Sequence, residues 1–239
     1  MIRPWFRARV EAVQKSDASP VTVADRAAEA AIRGVLAGLF PDHGLLGEED
    51  GLENSGAGLR WVFDPIDGTR AFITGRPSFG TLIALLADGV PVVGVIDQPI
   101  TGERWVGARG RKTAFHGKFG GVAGTRRGIG LGEAELSCTS PEIFPPGDLE
   151  RFRQLSQRVK RVSWGGDCYA YGLLALGQID VIAEATLNVW DWAALVPVIA
   201  GAGGSMTDWE GQPLRADGDG RALALGDPVL LEQAVAALA

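Results

Sequence analysis

Histidine is almost missing from this chain: His43 and His116 are the only two in 239 residues, and they stand far apart in sequence. Neither a histidine-rich metal site nor a Ser-His-Asp triad has much material to form from. Cysteine is as scarce. Cys138 and Cys168 have no CxxC spacing, which argues against a disulfide framework or a zinc site and fits a reducing compartment. Long apolar runs are also lacking. The longest weakly polar stretch, "WAALVPVIAGAGG", is too short for the roughly 20 residues that span a bilayer, and the N-terminal "MIRPWFRARVEAV" breaks its apolar residues with three arginines. Nor is there a basic excess: 23 Lys plus Arg stand against 29 Asp plus Glu, a net charge of -6 that leaves no footprint for nucleic acid or an anionic membrane. The expected setting is the cytoplasm, without a nucleic-acid or membrane partner. An anionic substrate would need a local cation, because the global field does not attract it.

What is present is material for a sizeable core, 46% hydrophobic residues in a chain long enough for one large domain or two packed halves. "ADRAAEAAIRGVLAGLF" spaces its apolar residues helically, predicting a helix over Val23 to Leu39. "HGLLGEED" predicts a loop or short strand and "LRWVFD" a buried strand. "TLIALLADGVPVVGVIDQP" predicts two strands joined at Asp88-Gly89, and "ERWVGAR" another, so the first half is expected to be a meandering antiparallel sheet. The glycine-rich, basic "RGRKTAFHGKFGGVAGTRRGIGLGE" is expected to be a strand-and-loop edge. Beyond it, strands at "AELSCTS", "RVSW", "IDVIAEA", "SMTD" and "RALALG" alternate with helices near Gly147 to Arg158 and at "CYAYGLLALG", "WDWAALVPVIAGAG" and "PVLLEQAVAALA". An antiparallel half followed by an α/β half predicts an α+β subdomain over 1–134 and an α/β subdomain over 135–239.

The chemistry concentrates in acids. "WVFDPIDGTRAF" ends an apolar run on Asp64 and Asp67, with Pro65 holding Asp64 extended and Gly68-Thr69 able to open a helix whose first amides favour an anion. "GEED" supplies Glu48 and Glu49, and "NVWDWAALVPV" begins a helix near Asp191. Each has a plainer alternative: Asp64 a turn residue, Asp67 and Asp191 helix caps, "GEED" a solvated turn. If Glu48, Asp64, Asp67 and Asp191 met, each close pair would repel by roughly 1 to 4 kcal/mol, depending on the local dielectric. Divalent cations are the natural partners, and an all-oxygen shell without histidine favours Mg²⁺.

"GEED", "WVFDPIDGT" and "WDWAALVPVIAGAGG" resemble, in order and spacing, the three signatures of the inositol monophosphatase family, and "KSDASPVTVAD" resembles the loop before its second helix. The resemblance runs from about Lys15 to the C-terminus, and the segment before Lys15 looks short for the family's first helix. It implies a layered αβαβα sandwich, a homodimer and a phosphate monoester hydrolase. It further implies that Glu48, Asp64, Asp67, Asp191 and the carbonyl of Ile66 hold two to three Mg²⁺ ions. By the same resemblance, Thr69 with Asp25 positions or deprotonates a metal-activated water, with Glu48 also counted among the catalytic groups. The Gly68 and Thr69 amides would hold phosphate, and Glu184, seven residues before Asp191, would contact the leaving alcohol.

"DPIDGTRAFITGRPSFGTLIAL" and "WGGDCYAYGLLALGQID" are similar to the histidinol-phosphate phosphatase branch, in which Asp167 replaces a small neutral residue. The substrate side is then Gly68, Thr69, Asp67, Asp167, Cys168, Glu184 and Asp191, with Asp167 and Glu184 an anionic cradle for an amine and an imidazole. Asp167 as a helix N-cap is the plainer alternative. Inositol 1-phosphate, another small phosphate monoester or a nucleotide 3'-phosphate are alternative substrates within the family. Two rivals differ in kind. A haloacid-dehalogenase site needs "DxDxT", whereas here the acids are three residues apart with Pro65-Ile66 between them. A catalytically silent binding relative would have lost a ligand or the Thr69 and Asp25 pair, and every expected position is filled.

Overall fold

The computed structural model of the chain describes residues 1–8, 12–14 and 20–239. Part of the "KSDASPVTVAD" loop, residues 15–19, therefore lies outside the described residues. Strands β1 (Ala12–Gln14) and β2 (Pro20–Thr22) pair antiparallel and lead into helix α1 (Val23–Leu39). Thr22 caps that helix: its hydroxyl accepts from the Ala24 amide at 3.1 Å, and Asp25 accepts in return from the Thr22 amide at 2.8 Å. This reciprocal box fixes the start of α1 at the predicted residue.

Next come β3 (Gly44–Gly47), β4 (Gly51–Glu53), β5 (Leu59–Asp67), the short α2 (Thr69–Ile73), β6 (Gly80–Ala87), β7 (Val90–Gln98), β8 (Glu103–Ala108) and β9 (Ala114–His116). They form one sheet in the order β4-β3-β5-β6-β7-β8-β9. From β5 onward it is the expected antiparallel meander, with β6 and β7 joined at Asp88-Gly89. The other edge departs from expectation. β3 runs parallel to β5 because the chain turns out through β4 before returning, so the sheet is mixed.

The second sheet has the order β11-β10-β12-β14-β13. Its strands are β10 (Glu135–Cys138), β11 (Arg161–Trp164), β12 (Val181–Glu184), β13 (Ser205–Thr207) and β14 (Ala222–Leu225). They are interleaved with α3 (Asp148–Ser156), α4 (Asp167–Leu174), α5 (Val189–Trp192), α6 (Leu195–Ala202) and α7 (Leu231–Leu238). The single helix expected at "WDWAALVPVIAGAG" is two, α5 and α6. Pro197 has no amide to give the Ala193 carbonyl one turn back, which interrupts the ladder between them.

Helices α4 and α6 lie between the sheets, and the largest core cluster joins Val62, Leu82 and Trp105 of one sheet to Ile182 and Ala224 of the other through Tyr171, Leu195 and Val198. Helix α1 covers the outer face of the first sheet through Leu36, Leu45 and Phe63. α3 and α7 cover the outer face of the second through Phe152, Leu155, Ala234 and Leu238. The result is the layered αβαβα sandwich, with the ends of β5, β10 and β12 and the starts of α2, α4 and α5 gathered at one cavity. No helix among the described residues is long and apolar enough to cross a membrane.

Candidate active site

Two acids three residues apart on a regular strand point to opposite faces of the sheet. β5 avoids this with a bulge: Asp64 pairs with Leu82 and Asp67 with Gly80, so three steps on β5 match two on β6. The extra residue restores the phase, and both Asp64 and Asp67 line the cavity. Pro65 suits this place because a bulge spares the ladder an amide that proline lacks. Its carbonyl accepts from the Thr81 hydroxyl at 2.8 Å. Asp64 also accepts from the Ile66 amide at 2.9 Å, so the turn-residue alternative holds alongside its exposure to the cavity.

The cavity measures about 220 Å³ and gathers Glu48, Asp64, Ile66, Asp67, Gly68, Thr69, Asp167, Cys168, Glu184 and Asp191. Of the residues expected at the site, Asp25 alone does not line it. Asp25 stands behind Thr69, whose hydroxyl lies 3.1 Å from the Ile66 carbonyl and 3.5 Å from the Asp25 carboxylate. Asp191 accepts from the Asn188 amide at 2.7 Å and so also closes the first turn of α5. Asp67 does not cap its own helix, since Gly68 occupies the cap of α2 in a left-handed conformation at φ 84°. Its carboxylate accepts instead from the Cys168 amide at 2.6 Å, tying β5 to the first turn of α4. The Cys168 thiol is buried, and a Cβ on Gly80 would stand 2.7 Å from its sulfur.

Asp167 is not the N-cap of α4. Gly166 holds that place, and Asp167 is the first helical residue, at φ 46°. Its carboxylate packs on Gly68, where a Cβ would stand 2.7 Å from Asp167 Cγ. Gly68 is thus required twice, by its own φ and by this close approach. Glu184, 3% exposed, accepts from the Thr139 amide at 2.7 Å and the Tyr171 hydroxyl at 2.8 Å. Burial raises the Glu184 carboxyl, and those two donors oppose the rise. Burial also raises Asp167 to about 6, aided by the Glu184 charge and opposed by Arg76 and Arg70.

The profile of the inositol monophosphatase family matches residues 2–239. The chain belongs to the inositol monophosphatase family. Among relatives, a bifunctional phosphatase IMPL2, chloroplastic, of Arabidopsis thaliana is 43% identical over all of this chain and 70% of its own length. A histidinol-phosphatase of Mycobacterium tuberculosis is 43% identical over 82% of this chain and 77% of its own. Among solved structures, an inositol monophosphatase from Zymomonas mobilis superposes with a TM-score of 0.89 at 47% identity, over 99% of this chain and 91% of that one.

As a member of this family the chain is a phosphoric monoester hydrolase, and the family is metal-dependent. Its acids suit that dependence. Asp64, Asp67 and Asp191 each offer a carboxylate oxygen within 4.8 Å of the others. No Lys or Arg is among the described residues that line the cavity. Burial and mutual repulsion push Asp64 and Asp67 well above the usual carboxylate range, and burial, with the Glu48 and Glu184 charges, lifts Asp191 to about 7. A hard cation with oxygen ligands is the chemistry that relieves such a set. Glu48 is not in that close trio, but it lines the same cavity and raises both Asp64 and Asp191.

Sequence reasoning missed several parts of the inositol monophosphatase cavity. Thr139 and Tyr171, which fix Glu184, lie in segments assigned only a strand and a helix. Ile143, Thr186 and Leu187 also line the wall, Thr186 at φ 62°. No spacing in the sequence announces them, because they arrive from loops whose courses depend on the second sheet.

Proposed function

We propose that this inositol monophosphatase family member is a Mg²⁺-dependent histidinol-phosphate phosphatase, in which Glu48, Asp64, Asp67, Asp191 and the Ile66 carbonyl hold two to three ions. The observation that carries the proposal is that one cavity is lined both by this acid set and by Asp167 and Glu184. The ions, when bound, would supply Lewis-acid chemistry, making water more acidic and offsetting negative charge on the phosphoryl group and leaving oxygen. The chain's own residues do the rest. Thr69 orients the attacking water through its hydroxyl and Asp25 stands behind it as the proton acceptor, a role that burial supports by raising the Asp25 carboxyl. Gly68 and Thr69 present their amides to phosphate at the start of α2. Asp167, beside Gly68, faces the cationic leaving alcohol, with Glu184 held behind it by Thr139 and Tyr171.

The activity named for the Mycobacterium tuberculosis relative supports this substrate. The Zymomonas mobilis structure favours inositol 1-phosphate as the second reading. Phosphate release from histidinol phosphate, inositol 1-phosphate, fructose 1,6-bisphosphate and adenosine 3',5'-bisphosphate decides between them. Histidinol phosphate should have the highest kcat/KM, and a clear preference for inositol 1-phosphate would overturn the assignment. Subdomains 1–134 and 135–239 fit the proposal, each supported by a sheet of its own and joined at the cavity. Two free, buried cysteines support a reducing, cytoplasmic setting, and a homodimer is kept on the family resemblance.

A further inference from the structure

Three consecutive acids, Glu48, Glu49 and Asp50, form the whole loop between β3 and β4, whose last and first residues, Gly47 and Gly51, pair across the ladder. Glu48 and Glu49 are half-buried and Asp50 is exposed, and a like-charged loop at the surface is mobile unless something holds it. Here the holder is Glu29, on the inner face of α1 and 0% exposed. Its carboxylate accepts from the Glu49 amide at 2.9 Å and the Asp50 amide at 3.0 Å. It also accepts from Arg33 Nε at 2.9 Å and Nη2 at 2.8 Å. Arg33 completes the clasp by donating to the Gly51 carbonyl at 2.6 Å and to Glu53 at 2.9 Å. Its guanidinium lies 5.4 Å from the ring centroid of Phe63, the neighbour of Asp64 on β5.

A fully buried carboxylate is costly unless it is paired and hydrogen-bonded, and α1 meets that condition by burying Arg33 beside Glu29 and turning both toward the loop backbone. The chain has also made room for it. A Cβ at Gly47 would stand 2.2 Å from Glu29 Oε1, so the residue before Glu48 has no side chain. The two amides that Glu29 holds belong to the residues directly after Glu48, which sets where the Glu48 carboxylate enters the cavity.

We infer that Glu29, with Arg33, is a positioning residue for the divalent-metal site: it clasps the loop backbone from α1 and thereby aims Glu48 at the ions. The inference rests on the metal role proposed for Glu48. Neither Glu29 nor Arg33 lines the cavity, so the effect passes through the loop.

The test is calorimetric titration of Mg²⁺, and of Mn²⁺ as a probe, into the substrate-free full chain. Glu29→Gln keeps the volume but gives up an acceptor, and Arg33→Lys gives up the two-pronged contact. Both should weaken metal binding by about tenfold to a hundredfold, the usual cost of losing a group that orients a ligand. In turnover, the metal concentration for half-maximal rate should rise by the same factor while kcat recovers at saturating metal. Should Glu29→Gln fail to fold, Arg33→Lys carries the test. Asp148→Asn, which weakens the pairing of buried Asp148 with the partly exposed Arg221 at the outer layer of the second sheet, should lose thermal stability without losing metal affinity. Wild-type affinity in both Glu29→Gln and Arg33→Lys, or an equal loss in Asp148→Asn, overturns the clasp. Wild-type affinity in Glu48→Gln overturns the metal role of Glu48 itself, and the clasp with it.

Discussion

Asp167→Asn should separate substrate choice from catalysis. The substitution is nearly isosteric, and asparagine tolerates the left-handed backbone at φ 46°, so the fold of the α4 entry is preserved. Alanine there would add strain on the order of 1 kcal/mol and confuse the result. A carboxylate about 4 Å from an ammonium or imidazolium gains up to roughly 4 kcal/mol at an intermediate dielectric, and desolvation returns much of it. The pocket gives a second bound. Raising the carboxyl from 3.8 to about 6 makes its anion about 3 kcal/mol less favourable than in water, a cost that an arriving cation relieves in part. That figure is already net of Arg70 and Arg76, and desolvation of the arriving cation keeps the net gain at about 1 to 3 kcal/mol. The variant should therefore lose about tenfold to a few hundredfold in kcat/KM on histidinol phosphate. It should hydrolyse a glycerol phosphate almost as the wild type does, since the acid trio is untouched. The preference should also shrink as pH falls below about 6, where Asp167 becomes neutral while the substrate's amine keeps its proton. Steady-state kinetics on both substrates read this out. Equal losses on both would make Asp167 part of the catalytic or structural shell, and no loss on either would remove the physical support for a cationic leaving group.

Further outcomes concern the acids themselves. Asp191 has a folded-state value of about 7 against an unfolded value of 3.8, so between those limits the folded state binds more protons. Without metal, stability should be fully present near pH 4 and fall as pH rises toward 7, by up to about 4 kcal/mol from this group, and added Mg²⁺ should flatten the trend. Thermal melts across pH in chelator would contradict this if stability rose instead. Asp64→Asn should abolish turnover yet raise the metal-free melting temperature at pH 7, by about 2 to 4 °C for each kcal/mol of repulsion removed. A variant that is both active and no more stable would refute it. Thr69→Ala should lower kcat more than it raises KM, because its hydroxyl acts on water rather than on substrate binding. A change confined to KM would count against that role.

Much of the cavity was legible because its chemistry is local in sequence. Asp64 and Asp67 end an apolar run beside a proline and a glycine, and repulsion alone suffices to ask for a cation. The bulge that turns both toward one cavity was not legible, since it depends on the register against Leu82 and Gly80. The parallel pairing of β3 with β5 was hidden for the same reason. Two signals were available and passed over. Pro197 sits where it must interrupt the helix after Asp191. Asp25, Glu29, Arg33 and Leu36 recur on one face of α1, and all four are buried, so the charged clasp was written in the helical period. Asp167 was ambiguous in sequence, because an aspartate before a helical run often caps it; here Gly166 takes the cap and the Asp167 carboxylate is left at the cavity.

The most direct measurement of the central claim is phosphate release from histidinol phosphate by metal-stripped protein, followed by titration with Mg²⁺. Turnover should vanish on chelation and return with Mg²⁺, because Asp64, Asp67 and Asp191 stand within 4.8 Å of one another and no Lys or Arg is among the described residues lining their cavity. Undiminished turnover in chelator would contradict it.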